Sequence, residues 1–531
     1  MTRTAVTGVL IFFFCALIRI GLVGRHGLWA DEFFSLAMAT GHSLEHPADR
    51  ANPAFGDYVE APRALPPAAY SRYMDHGVSP GSPRRVVRAV LLSDTNPPLY
   101  YLLLYGWTRL LGTGDAVLRL FSVLCSLACF PVLWSLAGRF GGGSAAVSTC
   151  ILFAFSPLCV FYSTEGRMYS LLMLSSVCTM WLTLRLWDKG PSASRFSLWI
   201  AAGVAGLLTH YFFFFVWIAA LCWQQFHPGR FPRWLSGAGA LLTVLLILPW
   251  YLHVPESLAQ WRVTGHWLIR PPGYHPITRA LSLPWSFLSI DGVWGGSRSR
   301  GLINAGVFAL LAVAALRKLS WSTFATPRNL LWLWLLSPCL GLLAFDLVRG
   351  THVTAVPRYA FAGVPAAFLL VGLGLASLGY RLRAIFIGLI ALLCLASVRR
   401  FYAADGRSDQ NYPEVAKLLF HQVDNSDLIL VHSIPSGVIG IARYLERGHA
   451  SETGVGFASW VGQLGRRRVP EDIEALATGR RRIILITTQE VGEPAPEKAW
   501  LEENATRVEM KRIQGTAIYY FRPRESTTFF E

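Results

Sequence analysis

The chain has 531 residues, of which 53% are hydrophobic and 15% charged, with a net charge of +16. Soluble domains carry about 25% charged residues, so this composition excludes a purely soluble protein and points to many membrane spans with room for one polar domain. The positive charge does not indicate a nucleic-acid partner, because many Lys and Arg fall in short loops between apolar runs, where they set membrane orientation. The nine cysteines all lie in apolar runs, which gives neither a disulfide framework nor a metal-binding spacing.

The first apolar run, 5–23, follows Arg3, lacks a small-residue cleavage site and reads as an uncleaved first span. Just beyond it, Leu28-Trp29-Ala30-Asp31-Glu32-Phe33-Phe34-Ser35 sets two adjacent carboxylates at the mouth of a membrane helix. Such a pair is either a solvated acidic loop start or a catalytic acid pair facing a lipid-borne substrate. The loop 24–115 is rich in Pro and Arg around 47–88 and is expected to carry short helices lying on the membrane. Within it, the run from Pro97-Pro98 to Trp107 starts as a helix and meets Arg109 after about a dozen residues, a length that suits an interfacial or re-entrant helix.

Further runs long enough to cross a bilayer lie near 116–138, 145–161, 167–187, 196–209, 211–226, 235–254, 301–317, 329–348, 359–379 and 384–401, which makes about eleven spans. If the Pro97 segment does not cross, Arg139, Arg185, Lys189, Arg195, Arg230, Arg233, Arg317, Lys318, Arg328, Arg381 and Arg383 share one side. That side is cytoplasmic by the positive-inside rule. Asp31-Glu32, Glu165, Arg167, His210, the loop 255–300, Arg349 and Arg358 then share the external face, with Asp188 the exception among the acids. The loop 255–300 carries Trp261, Trp267, Trp285 and Trp294 and reads either as an interfacial lid or as an aromatic belt.

After Phe401 the chain turns polar. The segments 427–432, 482–487 and 516–521 read as strands, and 412–420 and 438–447 have helical periodicity. The division expected is a transmembrane part over 1–401 and a small external α/β domain over 402–531, with no GxGxxG or P-loop and so no nucleotide site.

Arg358, after Val356-Pro357 at a span entrance, is a natural phosphate clamp or a headgroup anchor; Arg119 in Leu118-Arg119-Leu120 has the same two readings. Glu165 and Arg167 are too close in sequence to pair along one helix face, so they bridge to other elements or to an anionic ligand, or act as a cap and a snorkelling Arg. His210 in Thr209-His210-Tyr211 reads as a core histidine more than as a ligand, and Asp346 pairs by default with Arg349.

Asp31-Glu32, Asn96-Pro97-Pro98-Leu99-Tyr100-Tyr101, Leu118-Arg119-Leu120 with Gly138-Arg139-Phe140-Gly141, Tyr162-Ser163-Thr164-Glu165-Gly166-Arg167-Met168-Tyr169 and Pro357-Arg358-Tyr359 occur in this order. Together they resemble the GT-C superfamily of polyprenyl-phosphate-sugar glycosyltransferases. Within it they are nearest to protein O-mannosyltransferases and to the bacterial transferases that add aminoarabinose or galacturonic acid to lipopolysaccharide. The likeness covers about 1–400; Thr164 and Gly166 stand where the usual motif has Gln and Ala.

The resemblance implies a polytopic α-helical, GT-C-like membrane protein of the bacterial inner or plasma membrane. Its partners would be a polyprenyl-phosphate-sugar donor, membrane lipid, and a glycolipid, glycan or protein acceptor. Transfer would invert the anomeric centre. Asp31 would orient or deprotonate the acceptor hydroxyl, with Glu32 beside it. Arg167, Arg358 and Arg119 would hold the donor phosphate, and Glu165, Tyr162, Tyr169, His210 and Tyr359 would shape the pocket. No cofactor is certain; a divalent metal held by Asp31, Glu32 and His42 or His46 stays open, since their spacing is not diagnostic. The alternatives from other classes are a multi-span transporter or lipid flippase, which should show repeated halves and broken midplane helices, and a non-catalytic sensor or scaffold.

Overall fold

A computed structural model describes residues 3–46, 50–77, 81–94, 96–227, 229–256, 268–289, 327–403, 410–420, 422–448, 454–462, 466–489 and 495–524. Among these, seven helices are long and apolar enough to cross a membrane: Arg3–Leu22, Asp115–Phe155, Tyr169–Lys189, Arg233–Glu256, Asn329–Arg349, Pro357–Ala376 and Tyr380–Ala403. Two shorter apolar helices, Ala193–Leu207 and Phe213–Phe226, fall on the runs expected at 196–209 and 211–226. The expected span at 301–317 lies outside the described residues, as do Trp261, Trp267 and Trp294 of the proposed lid, while Trp285 is half exposed on Pro276–Ser286.

Helix α1 (Arg3–Leu22) leads to the short α2 (Ala30–Ala39), then α3 (Pro83–Ser93) and α4 (Leu99–Leu111). At 1.5 Å per residue α4 is about 20 Å long, short of a hydrocarbon core of about 30 Å, which fits the non-crossing reading of the Pro97 segment. Helix α5 (Asp115–Phe155) has 41 residues, about 60 Å, or two crossings.

It folds back on itself at Gly141 (φ −148°) and Gly142 (φ +67°, ψ −167°), conformations outside the helix. Both legs lie along α1. A Cβ on Gly8 would meet Trp134 of the first leg, and one on Gly143 of the second leg would meet Thr4. Buried Arg19 joins the legs at the other end, donating to Ser126 Oγ (3.2 Å) and to the carbonyls of Phe153 (3.1 Å) and Ala154 (2.9 Å). A guanidinium inside a span is costly unless its donors are taken, and here they brace the hairpin.

The chain continues through α6 (Pro157–Ser163), α7 (Tyr169–Lys189), α8 (Ala193–Leu207), α9 (Phe213–Phe226), α10 (Arg233–Tyr251), α11 (Pro276–Ser286) and α12 (Asn329–Arg349). A 3-10 turn, Pro357–Gly363, then opens α13 (Val364–Ala376), and α14 (Tyr380–Ala403) ends the helical part. The hairpin tip of α5 meets the far end of α7 through Arg139 and Asp188 (2.7 Å), and Arg328 donates to the Phe140 carbonyl (3.2 Å). Arg230 N–H reaches the Trp187 carbonyl (3.0 Å). The loops bearing these basic residues therefore gather at one end of the bundle.

The polar C-terminal part is a five-stranded sheet of order β2-β1-β3-β5-β4. Strands β1 (Asp427–His432), β2 (Gly456–Trp460) and β3 (Arg482–Thr488) run parallel, while β4 (Ala505–Ile513) and β5 (Thr516–Pro523) pair antiparallel. Helices α15 (Tyr412–Leu419) and α16 (Pro435–Arg447) cover one face. The sheet and α15 and α16 match the sequence expectation; β2 and β4 were not anticipated.

This part is fastened to the opposite end of the bundle from the α5 tip. Phe33 of α2 packs against Tyr412 and Tyr444 at 5.9 and 6.4 Å between ring centroids. Asp115, at the start of α5, takes Arg443 (2.9 Å), Arg447 (2.9 Å) and the Tyr444 hydroxyl (2.6 Å).

Candidate active site

The first turn of α2 fixes the two neighbouring acids in different roles. Glu32 is sealed: it is fully buried and stands at the third position of the helix, where its Oε2 accepts from the Trp29 N–H (3.2 Å). A carboxylate at a helix start is favoured by the unpaired N–H groups and the dipole there. Arg119 of α5 grips it with two parallel bonds of 2.7 Å, Nε to Oε1 and Nη2 to Oε2. The Gly166 N–H adds a third close contact at 2.7 Å.

The remaining Arg119 donors go to the carbonyls of Val23 (3.0 Å), His26 (2.6 Å) and Gly27 (2.7 Å). Guanidinium has five donors, and all five are spent. The expectation that Arg119 binds the donor phosphate meets a guanidinium whose donors are all engaged within the protein, and Glu32 acts here as a brace that sets the acidic turn on α5. Position 166 carries glycine for a local reason: a Cβ there would stand 2.6 Å from the Leu118 side chain and 3.3 Å from Glu32 Oε1.

Asp31, one residue earlier, keeps 29% of its side chain exposed. Its Oδ2 lies between two guanidiniums, 3.9 Å from Arg167 Nε and 3.8 Å from Arg358 Nη1. These are charge-pair distances, longer than the roughly 2.7–3.2 Å of an N–H···O bond. Arg167 is nearly buried. Its Nη1 donates to the Asp31 carbonyl and Ser35 Oγ (both 3.2 Å) and stands 3.7 Å from Asp94 Oδ2. Arg167 thus bridges Asp31 and Asp94 and answers the expectation that the Glu165–Arg167 stretch reaches to other elements. Arg358 is the more open of the two cations, 20% exposed, with its guanidinium over the rings of Trp29 (5.9 Å) and Tyr359 (5.7 Å).

The loop that presents Arg358 is held from below by Asp346. Its carboxylate accepts from Thr351 Oγ1 (2.7 Å), the Val353 N–H (2.7 Å) and the Thr354 N–H (3.0 Å) and hydroxyl. The expected pair with Arg349 is not formed among the described residues.

Glu165 is buried behind the site. Tyr162 and Tyr169 stack edge-on at 4.9 Å, and Tyr162 also packs on Phe361 at 4.9 Å. His210, 3% exposed, lies 5.9 Å from Tyr359 and 6.4 Å from Tyr169 between ring centroids. Its Nδ1 accepts from the Phe212 N–H (3.2 Å), which puts the proton of a neutral ring on Nε2.

Two groups escaped the sequence reading. Asp94, two residues before Asn96-Pro97-Pro98, accepts from the Tyr101 hydroxyl and from the Asn96 side chain (2.8 Å). Glu45 is pinned beside it: Ser93 Oγ donates to the Glu45 carbonyl (3.0 Å) and meets Ser43 Oγ at 2.6 Å. Burial, with repulsion from Asp94 and Asp31, pushes the Glu45 carboxyl up to about 8. The signal for Asp94 was its closeness to a quoted motif; Glu45 lies in a loop with no periodic pattern to mark it.

The four weak metal candidates do not assemble. Glu32 is taken by Arg119, and Nδ1 of His42 and of His46 meets the hydroxyls of Thr40 (2.9 Å) and Ser43 (3.0 Å). Among the described residues no group of three His, Cys, Asp or Glu could hold a metal ion.

A family model described as dolichyl-phosphate-mannose-protein mannosyltransferase matches residues 95–254. No curated protein matches the sequence. Among solved structures, the chain resembles ArnT from Cupriavidus metallidurans bound to undecaprenyl phosphate. The TM-score is 0.52 at 12% identity, over 100% of each chain. The apo form of the same ArnT gives 0.48 at 13% identity, over 91% of this chain and 95% of that one. The Archaeoglobus fulgidus oligosaccharyltransferase in complex with Zn and sulfate gives 0.42 at 14%, over 82% and 61%. The first of these likenesses, end to end in both chains, bears on the fold, and the other two add no argument. The ordered motifs, the matched segment and this architecture agree: the chain has the GT-C fold.

Proposed function

We propose that this protein is an integral-membrane glycosyltransferase that moves a sugar from a polyprenyl-phosphate donor to an acceptor hydroxyl at the external membrane face. The observation that carries the reading is the contrast within Asp31-Glu32. Glu32 is sealed by Arg119, whereas Asp31 is open and is flanked by two guanidiniums that do not bond its Oδ2 directly. A base that must meet an acceptor hydroxyl needs that freedom. The ArnT structure that shares the fold holds undecaprenyl phosphate, in keeping with a lipid phosphate beside Arg358.

In the proposed reaction the acceptor oxygen attacks the anomeric carbon while Asp31 takes the hydroxyl proton. The anomeric C–O bond to phosphate breaks, and its electron pair leaves with the polyprenyl phosphate. Phosphate needs no general acid to depart, so the demand on the protein is charge stabilisation, which a preorganised guanidinium supplies. Arg358, the more open of the two cations, fits that task. Arg167 keeps Asp31 and Asp94 in register, and His210 Nε2–H can add a neutral donor. Displacement by a single attack inverts the anomeric configuration.

Asp31→Asn should lower sugar transfer by about 10²–10⁴-fold, with normal membrane insertion and abundance. Lipid-linked sugars would be profiled in a deletion strain complemented with either form, alongside mass spectrometry of envelope glycans. Wild-type transfer by the variant would remove Asp31 from the mechanism.

A further inference from the structure

The stretch that leads into α2 is held from two parts of the chain. Arg119 of α5 takes the carbonyls of Val23, His26 and Gly27. The C-terminal part takes main-chain N–H groups. The Tyr444 hydroxyl of α16 accepts from the buried Leu28 N–H at 2.7 Å and donates to Asp115 Oδ2 at 2.6 Å. The side-chain carbonyl of Gln410 accepts from the Ala30 N–H at 2.8 Å, and Glu32 takes the Trp29 N–H between them. Three successive N–H groups before Asp31 therefore end on side chains, two of which lie 416 and 380 residues further along the chain. The two parts press together here. A Cβ on Gly27 would stand 2.3 Å from the Pro413 ring and 3.0 Å from the Tyr444 hydroxyl, and one on Gly440 of α16 would stand 2.9 Å from Phe33.

We propose that Tyr444 and Gln410 are positioning residues for sugar transfer: by fixing the backbone at 28–30 they set the place of Asp31. This rests on the glycosyltransferase reading above and gives the C-terminal part a role in it. The Asp31 carboxylate meets its flanking guanidiniums at 3.8 and 3.9 Å, beyond hydrogen-bond length, so its place depends on the turn that carries it. That turn starts at Ala30. The first N–H groups of a helix have no partner inside it, and a buried donor that loses its acceptor bears the full cost of its desolvation. Without Tyr444 or Gln410 the turn shifts to find another acceptor, and Asp31 moves with it. Neither side chain needs to touch the substrate. Tyr444→Phe keeps the ring against Phe33 and leaves Asp115 with Arg443 and Arg447, so it releases Leu28 while the docking of the two parts remains.

The test sets sugar transfer in the complemented deletion strain beside binding of undecaprenyl phosphate to the purified full chain in lipid nanodiscs. Tyr444→Phe and Gln410→Leu should each lower transfer about tenfold or more at equal abundance, since a misplacement of about 1 Å can cost about 100-fold. Both should bind undecaprenyl phosphate within about twofold of wild type, which also reports that they are folded. Arg447→Met is the control. It removes the outer arm of the same clamp, a side chain 44% exposed, touches neither N–H, and should transfer within about twofold of wild type. Wild-type transfer by either positioning variant overturns the inference. So does an Arg447→Met protein that loses as much transfer as Tyr444→Phe, because the two would then share only a weakened docking, and so does lipid-phosphate binding that falls in step with transfer. All three outcomes leave the glycosyltransferase reading intact. Absence of transfer in the strain carrying the wild-type chain overturns that reading, and this inference with it.

Discussion

Two adjacent carboxylates are held in opposite states, and the cause is the helix whose first turn carries both. Starting α2 at Ala30 turns Glu32 back onto its own N-terminus and into the grip of Arg119, and leaves Asp31 on the open side. The sequence showed the pair but could not divide the roles, because the division depends on Arg119 arriving from 87 residues away. The same limit hid Asp94, whose significance comes from Arg167 rather than from any local spacing. Glu32→Gln should therefore behave unlike Asp31→Asn. It removes the charge that neutralises a buried guanidinium, and breaking a buried pair from one side costs about 3–5 kcal/mol. Thermal unfolding of the purified protein should show a large fall in stability, or the variant should fail to accumulate. A Glu32→Gln protein as stable as wild type but inactive would return Glu32 to the chemistry.

At the scale of elements, the legible part was apolar length and its interruptions. The sequence places separate apolar runs at 116–138 and 145–161, with Arg139 and three consecutive glycines, Gly141 to Gly143, between them. The structure shows them as two legs of one hairpin. Strand β4 was not legible, because its sequence, ATRVEMKRI, is largely exposed and charged and lacks the β-branched alternation of a half-buried strand. The hairpin depends on Gly142, whose φ of +67° and ψ of −167° fall in a region that is essentially glycine-only. Gly142→Ala has open space for its methyl, so any effect is backbone strain, of about 1–3 kcal/mol. A clear drop in the detergent-solubilised melting temperature is expected, with Gly237→Ala, a helical glycine with equally open surroundings, as the control. Equal melting of the two variants would mean that the turn does not require its conformation.

At the scale of the whole molecule, the structure gives the bundle two chemically distinct ends. Helix α7 runs between them, from Arg167 just before its start to Asp188 at its finish, a rise of about 30 Å. One end has Arg139 with Asp188, and Arg230 and Arg328 beside them. The other has Asp31, Asp94, Arg358 and the C-terminal sheet, clamped there by Asp115 with Arg443 and Arg447. We propose from the charge pattern that the end rich in Lys and Arg faces the cytoplasm, since short loops rich in those residues stay inside; the site and the polar domain would then share the external face. Side-specific labelling of intact cells tests this. A cysteine at Lys189 in an otherwise cysteine-free chain should resist an impermeant thiol reagent until the membrane is opened, whereas a tag after Glu531 should be reached at once. Both positions labelled from one side would mean that an odd number of crossings has been misassigned between them, and the assignment of the site to the external face would fall because the charged end and the catalytic end could no longer be told apart.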